Sequence, residues 1–401
     1  MMAARCDETM TTPHPDSPVD GGELDILRAW IDALDHELLQ LLSRRNGLVA
    51  EVARTKREHN RDIRDPEREE SLLADRRQRA SQLGLSPEVI ESIYRLILWA
   101  SRDRQASLKA QVPLDEEPKT IAIIGGSGGM GKCMASLFAD LGHAVMIADL
   151  DTDLTPQNAA QQANVVLISV PITETIEVIR TLGPRLREDA LLMDVTSTKT
   201  APLRAMLESH PGPVLGTHPL FGPSLHSFQG QRIALIPGRN DEWLHWGKRM
   251  FQARGLITVE STAEEHDRIM GVVQVLTHFS TEVMGRTLVK LKKTLGVSLS
   301  ETLQFTSPVY LLEMLMTARH FAQSPDLYAA IQSVNPETPQ ITTAFREALN
   351  EWIDIAQPPD DLQDSEQFNS AFREVSEYFG SFSKQALDQS GYLIDRLVER
   401  L

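Results

Sequence analysis

The 401-residue chain carries a net charge of −16 and is 41% hydrophobic. Its length predicts two or three domains, each able to bury a core, and its acidity argues against nucleic acid or an anionic membrane as a partner. Cys6 and Cys133 match no disulfide or metal spacing, so no metal site is expected. The chain has no apolar run of about 18 residues and no signal-peptide pattern, which together predict a cytoplasmic protein.

The first part of the chain predicts a tail and three helices. Residues 1–21 are rich in Thr, Pro, Asp and Gly and lack any period, as is typical of disordered segments. Apolar residues recur every three or four positions between Leu24 and Val52, which predicts a single long helix. Residues 65–67 (Asp-Pro-Glu) and 86–88 (Ser-Pro-Glu) each combine a capping residue, a proline and an acid, so each begins another helix. A helix too long for its neighbours to cover predicts an intertwined homodimer in which the long helices pair.

Polar side chains interrupt the apolar faces of these predicted helices. Arg45 and Lys56 replace apolar residues in the stripe of the first helix, and their spacing of about three turns puts them on one face. Ser101 and Gln105 end the stripe of the third helix. Taken singly, each cation is equally well explained as a surface residue whose stem lies along apolar surface. Taken together, the cations lack a matching set of inward-facing acids, which predicts an anionic ligand.

Residues 22–108 resemble the all-helical chorismate mutase domain at eight active-site positions. These are Arg28, Arg45, Lys56, Asp65, Arg68, Glu69, Ser101 and Gln105. The resemblance implies that Arg28 reaches into the partner subunit's site and that Arg28, Arg45 and Arg68 hold the carboxylates of chorismate. It implies that Asp65 and Glu69 bind the hydroxyl side and that Ser101 supports a carboxylate. Lys56 and Gln105 would donate to the ether oxygen.

After a polar linker over 109–118, a glycine-rich segment has the layout of a dinucleotide-binding fingerprint. The apolar strand Thr120–Ile124 leads into Gly126-x-Gly128-x-x-Gly131, a helical pattern follows, and a second strand ends on Asp149. Gly126 is expected to permit the tight turn. The acid suits a ribose 2′-hydroxyl and repels a 2′-phosphate, so NAD is favoured over NADP. The predicted cofactor contacts are Gly126, Ser127, Gly128, Gly129, Met130, Gly131, Asp149, Val170 and Pro171.

Strand and helix patterns then alternate over 119–262, which predicts a doubly wound α/β domain of the Rossmann type with a parallel sheet. Further strands are expected at 164–170, 190–194, 213–216, 232–237 and 256–260. Ligands of such sheets lie beyond the carboxyl ends of the strands. The polar loop 194–199 and His218 both follow strands, so they are expected to converge beside the nicotinamide.

This part of the chain resembles the prephenate dehydrogenases from residue 119 to about residue 385. Residues 218–223 resemble their His-Pro-Met-Phe-Gly-Pro motif, with Leu220 in place of Met, and 194–199 resemble their Asp-x-x-Ser-x-Lys loop. Further matches lie at 265–267, 278–279, 307–310 and 319–325. One departure is Leu311, where relatives carry Arg. The resemblance implies a helical dimerisation and substrate domain over 263–401.

The same resemblance implies roles for individual residues. His218 would accept the proton of the prephenate hydroxyl while hydride passes to NAD, giving 4-hydroxyphenylpyruvate and CO2. Ser197 would hydrogen-bond the imidazole or the substrate, and Arg319 would hold a substrate carboxylate. Lys199 and His278 would orient the substrate. Feedback inhibition by tyrosine is implied as well, without a site that the sequence identifies.

Three hypotheses therefore compete. The first is a bifunctional enzyme of tyrosine synthesis, with chorismate mutase and prephenate dehydrogenase activities. The second is an NAD-dependent dehydrogenase, for prephenate or arogenate, whose N-terminal helices serve only to dimerise it. The third is a non-catalytic sensor that binds NAD and an aromatic ligand. The complete set of mutase positions argues against the second, and His218 with Ser197 and Arg319 argues against the third.

Overall fold

A computed structural model describes residues 21–59, 65–107, 116–225, 227–356 and 365–398. The chain divides into two compact units, Met1–Leu108 and Lys109–Leu401. The predicted tail over 1–21 and linker over 109–118 lie almost entirely outside the described residues. None of the helices in the described ranges is long and apolar enough to span a membrane.

The first unit contains three helices, as predicted: α1 (Gly21–Glu58), α2 (Pro66–Gln82) and α3 (Pro87–Ser107). The Asp65 side chain caps α2 by accepting a hydrogen bond from the Arg68 main-chain N–H at 3.0 Å, and Pro66 occupies the first turn. Helix α3 packs against both α1 and α2. The apolar stripe of α1 stays exposed along much of its length, because the described residues of the chain do not cover it.

The second unit begins with a seven-stranded sheet. Its strands are β1 (Thr120–Ile124), β2 (Ala144–Ala148), β3 (Val165–Ile168), β4 (Leu191–Asp194), β5 (Val214–Pro219), β6 (Arg232–Arg239) and β7 (Ile257–Glu260). The spatial order is β2-β1-β3-β4-β5-β6-β7. Neighbouring strands pair in parallel except β5 and β6, which are antiparallel. The predicted parallel sheet is therefore confirmed except at this pair, where the connection lacks the crossover helix that a parallel arrangement requires.

Helices cover both faces of this sheet. They are α4 (Gly129–Asp140), α5 (Pro156–Gln162), α6 (Ile172–Leu182), α7 (Thr200–Ser209) and α8 (Asp241–Ala253), with a short 3-10 helix at Gly183–Arg185. One apolar core joins the sheet to α4 and α8 around Phe138 and Phe251. The other joins it to α5, α6 and α7 around Ile179 and Met206. Burial on both faces explains the nearly continuous apolar sequences of β1, β3 and β4.

The rest of the described second unit is helical. Its helices are α9 (Ala263–Met270), α10 (Thr277–Leu295), α11 (Leu299–Gln304), α12 (Pro308–Phe321), α13 (Pro325–Val334), α14 (Thr338–Ala356), α15 (Ser365–Phe379) and α16 (Phe382–Val398). A π-helical segment, Gly271–Leu276, connects α9 to α10. Such segments often lie at functional sites because the widened turn redirects a side chain. Leu311, the departure from the dehydrogenase pattern, is buried in α12.

A buried histidine should make the second unit sensitive to acid. Lys119 donates its main-chain N–H to His143 Nδ1 at 3.0 Å. Burial, reinforced by the Lys119 charge, lowers the pKa of His143 from 6.5 to about 4. The unfolded chain therefore binds this proton at a higher pH than the folded chain does. Between these two values the free energy of unfolding should fall as the pH falls, with a slope of up to about 1.4 kcal/mol per pH unit from this residue.

We expect His143→Gln to reduce the slope of the free energy of unfolding against pH. A smaller slope should remain, because burial also lowers the pKa of His210 and His218. Urea unfolding of both proteins between about pH 7 and pH 5 measures the two slopes. Equal slopes would contradict the assignment to His143.

Candidate active sites

The first site is built around Arg45 of α1. Its guanidinium donates to Ser101 Oγ on α3, and this hydroxyl donates to the Ile97 carbonyl at 2.6 Å. Ser101 is buried and Arg45 is partly buried. Burial lowers the pKa of Arg45; Tyr94 opposes this effect and the positive charge of Arg76 adds to it. A cation that is partly desolvated and faces another cation is stabilised by an anionic ligand.

An ion pair joins α2 and α3 beside this cation. Arg102 donates to Glu69 Oε1 at 2.7 Å, and both side chains are about four-fifths buried. Glu69 is the residue predicted to bind the substrate hydroxyl, whereas Arg102 is not among the predicted site residues. In the sequence, Arg102 is marked by its position directly after Ser101. Its ion-pair partner becomes apparent from the packing of α2 on α3. The pair fixes the position of the Glu69 carboxylate between α2 and α3.

The other predicted mutase residues differ in exposure. Lys56 and Gln105 are partly buried, and Gln105 Oε1 is a buried oxygen without a hydrogen-bond partner among the described residues. Arg28, Asp65 and Arg68 are exposed. Arg28 forms an ion pair with Asp25 at 3.4 Å on the surface of α1. Arg45, Lys56, Glu69 and Gln105 are therefore partly buried and Ser101 is buried, whereas Arg28, Asp65 and Arg68 lie on the surface of the single chain.

The second site begins at the glycine loop between β1 and α4. The left-handed backbone of this turn is at Gly125, with φ +81°, and not at Gly126. Gly126 is needed for space instead, because an added Cβ atom would lie 2.7 Å from the Ile147 side chain. A Cβ atom on Gly125 would collide with the main-chain oxygen of Ser169. Gly131 packs α4 onto the loop, since an added Cβ would lie 2.5 Å from the Gly125 oxygen. Val170, which follows β3, lies against the same turn.

Two carboxylates flank this loop. Asp149 accepts hydrogen bonds from the main-chain N–H of Ser127 at 2.9 Å and of Leu150 at 2.8 Å. Asp151, which the sequence analysis did not identify, accepts from Ser127 Oγ at 3.0 Å. The first turn of α4, Gly129 to Gly131, presents main-chain N–H groups that have no partners within the helix. The loop thus offers N–H donors for a pyrophosphate and, beside them, acids that suit ribose hydroxyls.

A chain of buried hydrogen-bonding side chains lies at the end of β5. His218 Nδ1 is 2.9 Å from His266 Nε2, and His266 Nδ1 is 2.9 Å from Asp267 Oδ1. On its other side, His218 Nε2 is 3.3 Å from the amide nitrogen of Gln274, which the π-helical segment supplies. Burial, reinforced by the charge of Lys199, lowers the pKa of His218 well below its usual range. His218 is therefore neutral at physiological pH and able to accept a proton.

Lys199 occupies a different position from the one predicted. Its side chain is fully buried, with Nζ bonded to Asp194 Oδ2 and, at 2.6 Å, to the Thr217 carbonyl. An ammonium group enclosed in this way cannot contact a substrate, so the prediction that Lys199 orients prephenate is corrected. It instead ties β4 to β5 next to His218. Ser197 lies in the same loop between β4 and α7 and is partly exposed.

His278 and Arg319 lie in the helical part of the second unit. The His278 ring contacts Tyr328 edge to face with centroids 4.8 Å apart, and its Nδ1 is buried without a hydrogen-bond partner among the described residues. His320 stacks on Tyr328 at 3.8 Å and hydrogen-bonds Glu282 Oε1 at 3.2 Å. Arg319 is exposed in the last turn of α12. These residues form an aromatic and cationic group, and among the described residues no hydrogen bond or ring contact joins it to His218.

Three protein families match consecutive parts of the chain. Residues 27–106 match chorismate mutase type II, residues 139–259 match the nucleotide-binding domain of prephenate dehydrogenase, and residues 262–374 match the prephenate dehydrogenase dimerization domain. The first match covers most of α1 to α3. The second match covers the sheet from β2 onward and begins after β1 and the glycine loop, and the third covers most of the helices that follow the sheet.

Similar proteins share this arrangement over nearly their whole length. The chain is 36% identical over 372 residues to the T-protein of Enterobacter agglomerans, covering 93% of this chain and 97% of that protein. It is also 36% identical to the T-protein of Haemophilus influenzae, covering 92% and 96%. A solved prephenate dehydrogenase from A. aeolicus, in complex with hydroxyphenyl propionate and NAD+, has the same fold, with a TM-score of 0.53 and 18% identity over 68% of this chain and 99% of that one.

Proposed function

The chain belongs to the T-protein family, in which a chorismate mutase is joined to a prephenate dehydrogenase, and on this basis we propose which residues carry out each reaction. The protein is a bifunctional enzyme of tyrosine biosynthesis that converts chorismate to prephenate and then prephenate to 4-hydroxyphenylpyruvate with NAD. The observation that carries the residue assignment is that each unit encloses one group suited to one reaction. These groups are Arg45 bonded to Ser101 and His218 bonded to His266.

In the mutase site, catalysis comes from binding the folded conformer of a dianion. The rearrangement is unimolecular and involves no nucleophile or proton transfer, so the site needs only to orient the substrate and to stabilise charge. Arg45, held by Ser101, receives one carboxylate. Lys56 and the Gln105 amide donate to the ether oxygen as the C–O bond breaks. Asp65 and Glu69 bind the hydroxyl side, with Arg102 keeping Glu69 in place.

A dimer completes this proposal, because Arg28 would then enter the partner subunit's site. Ile31, Leu34 and Leu38 on α1 are 57%, 60% and 56% exposed, so a second copy of α1 would bury them. The helical part of the second unit, which matches a dimerization domain, also exposes apolar side chains, among them Phe372 and Phe379 on α15. Both units therefore have apolar surface to contribute to a homodimer.

In the dehydrogenase site, His218 acts as the general base on the substrate hydroxyl. The glycine loop and Asp149 would hold NAD, which would supply the acceptor for the hydride on the carbon that bears this hydroxyl. As the hydride leaves, His218 Nε2 takes the hydroxyl proton, and loss of CO2 makes the ring aromatic. Ser197 would hydrogen-bond the hydroxyl or the imidazole, and Arg319 would hold a carboxylate. Tyrosine shares its 4-hydroxyphenyl group and a carboxylate with the product, so its binding in competition with prephenate is part of this proposal.

The two activities should separate by residue. We expect Arg45→Ala to lower mutase kcat/KM on the order of 10²-fold or more, because a charge that the transition state needs is removed, and to leave NADH formation from prephenate unchanged. His218→Asn should lower dehydrogenase kcat by roughly 10²–10⁴-fold, the usual contribution of a general base, and leave the mutase intact. Arg54→Ala, on the exposed surface of α1, is the control. Equal loss of both activities in either variant would contradict the assignment of the two reactions to separate sites.

The acids beside the glycine loop should determine the choice of cofactor. Asp149→Ser removes one negative charge from the ribose side, and adding Asp151→Asn removes a second. Each step should raise kcat/KM with NADP by about tenfold, which corresponds to relief of about 1.4 kcal/mol of repulsion. Asp153→Asn changes a nearby exposed acid and should have no effect. Comparable use of NADP and NAD by the native protein would refute the assignment.

Gln105 should make native mutase activity nearly independent of pH between mildly acidic and neutral conditions, because an amide always donates. Gln105→Glu should retain activity while its carboxyl is protonated and lose it, on the order of 10²-fold, as the carboxyl ionises beside the oxygen that gains charge. Gln82→Glu, the same change on the exposed end of α2, is the control. Mutase rates across this pH range test whether Gln105 donates to the ether oxygen. If Gln105→Glu is as active at neutral pH as at acidic pH, Gln105 is not that donor.

A further inference from the structure

The buried hydrogen bonds around His218 determine which nitrogen of each ring carries a proton. The Asp267 carboxylate can only accept: Oδ1 accepts from the Lys199 main-chain N–H at 2.7 Å and Oδ2 from that of Thr200 at 2.9 Å. The His266 Nδ1 atom facing Oδ1 must therefore carry a proton, which leaves its Nε2 as an acceptor. His218 Nδ1 must then donate to that acceptor. The free lone pair of neutral His218 is consequently on Nε2.

The amide of Gln274 agrees with this assignment. Its nitrogen lies 3.3 Å from His218 Nε2, and an amide nitrogen can only donate. Without substrate the Gln274 amide would therefore occupy the lone pair of the base. The π-helical segment that carries Gln274 thus holds a donor beside the atom that must take the proton.

The charges of the buried cluster also favour proton uptake. The side chains facing His218 belong to three elements: Asp194 at the end of β4, Lys199 before α7, and His266 and Asp267 on α9. Lys199 and Asp194 neutralise each other in an ion pair. Burial would raise the pKa of Asp267, but hydrogen bonds from His266, Thr200 and Lys199 lower it, so Asp267 stays ionised. The cluster then has one negative charge before His218 is protonated and none afterwards.

We propose that His266 and Asp267 are positioning residues for the dehydrogenase reaction, which present His218 with Nε2 unprotonated and stabilise the imidazolium that forms. This inference rests on the proposed role of His218 as the base. The proton leaves the substrate oxygen for His218 Nε2, and the positive charge that results is shared through His218 Nδ1–H with His266 and balanced by Asp267. No covalent bond forms between protein and substrate, and the electron pair of the broken C–H bond leaves with the hydride to NAD.

Two variants of His266 separate orientation from charge. His266→Leu removes the acceptor, so His218 can adopt the other tautomer, and dehydrogenase kcat should fall by about 10²-fold or more. His266→Gln keeps an amide oxygen to accept from His218 and an amide nitrogen to donate to Asp267, but it cannot share the positive charge. Its kcat should fall by roughly tenfold, while KM for prephenate and for NAD stays within about twofold in both variants.

His210→Gln is the matched control, because His210 is a buried histidine of the same unit that hydrogen-bonds the Ala190 carbonyl at 2.8 Å and does not touch His218. It should retain kcat. Binding of NAD and the thermal unfolding midpoint verify that each variant is folded, and His266→Gln carries the test if His266→Leu fails to fold. Nitrogen NMR of the native enzyme labelled at histidine gives the tautomer directly, and we expect the His218 proton on Nδ1.

The native enzyme and His218→Asn, assayed alongside, test the proposed function separately. If the native enzyme forms NADH and His218→Asn does not, the base is established. A His266→Gln protein with native kcat, or a His218 proton found on Nε2, would then overturn the positioning role alone.

Discussion

The buried ion pair between Lys199 and Asp194 is the interaction on which the dehydrogenase site depends. Both side chains are fully enclosed, and Lys199 Nζ also bonds the Thr217 carbonyl, one residue before His218. Loss of one partner from a buried pair typically costs about 3–5 kcal/mol, because the other charge is left without compensation. The pair therefore holds the ends of β4 and β5 together. The Lys199 main-chain N–H, bonded to Asp267, extends the same link to α9.

This arrangement explains how a histidine can serve as a base in a dry environment. Burial favours the neutral ring, which is the form that accepts a proton. Burial alone would also oppose the charged product of that step. The Asp267 charge, connected through His266, is already present and oriented before the proton arrives, so little reorganisation is required. Preorganisation of this kind requires that the residues around His218 be held in place. The ion pair between Lys199 and Asp194 provides this rigidity.

The mutase unit meets a different demand with a simpler set of groups. Its reaction transfers no proton, so no residue has to change its charge. Arg45 is instead left partly desolvated and close to Arg76, with Ser101 as a neutral partner. Such a cation is stabilised when a substrate carboxylate binds. The binding energy of the dianion is thus used to hold the conformer that reacts. The apolar stripe of α1, unlike the central strands of the sheet, is left exposed by the described residues, and the proposed homodimer would bury it.

Local patterns in the sequence were sufficient to predict much of this protein. Caps and apolar periods located α1, α2 and α3, the apolar runs located the strands, and the glycine spacing with Asp149 located the nucleotide loop, because each depends on residues close together in the chain. The tertiary structure alone decided that β6 runs antiparallel, that Gly125 makes the turn, and that Lys199 is buried against Asp194. It also decided that His266, 48 residues from His218 in the chain, is its neighbour. Contacts of this kind depend on how distant segments pack, and no periodicity or motif around either residue contains that information.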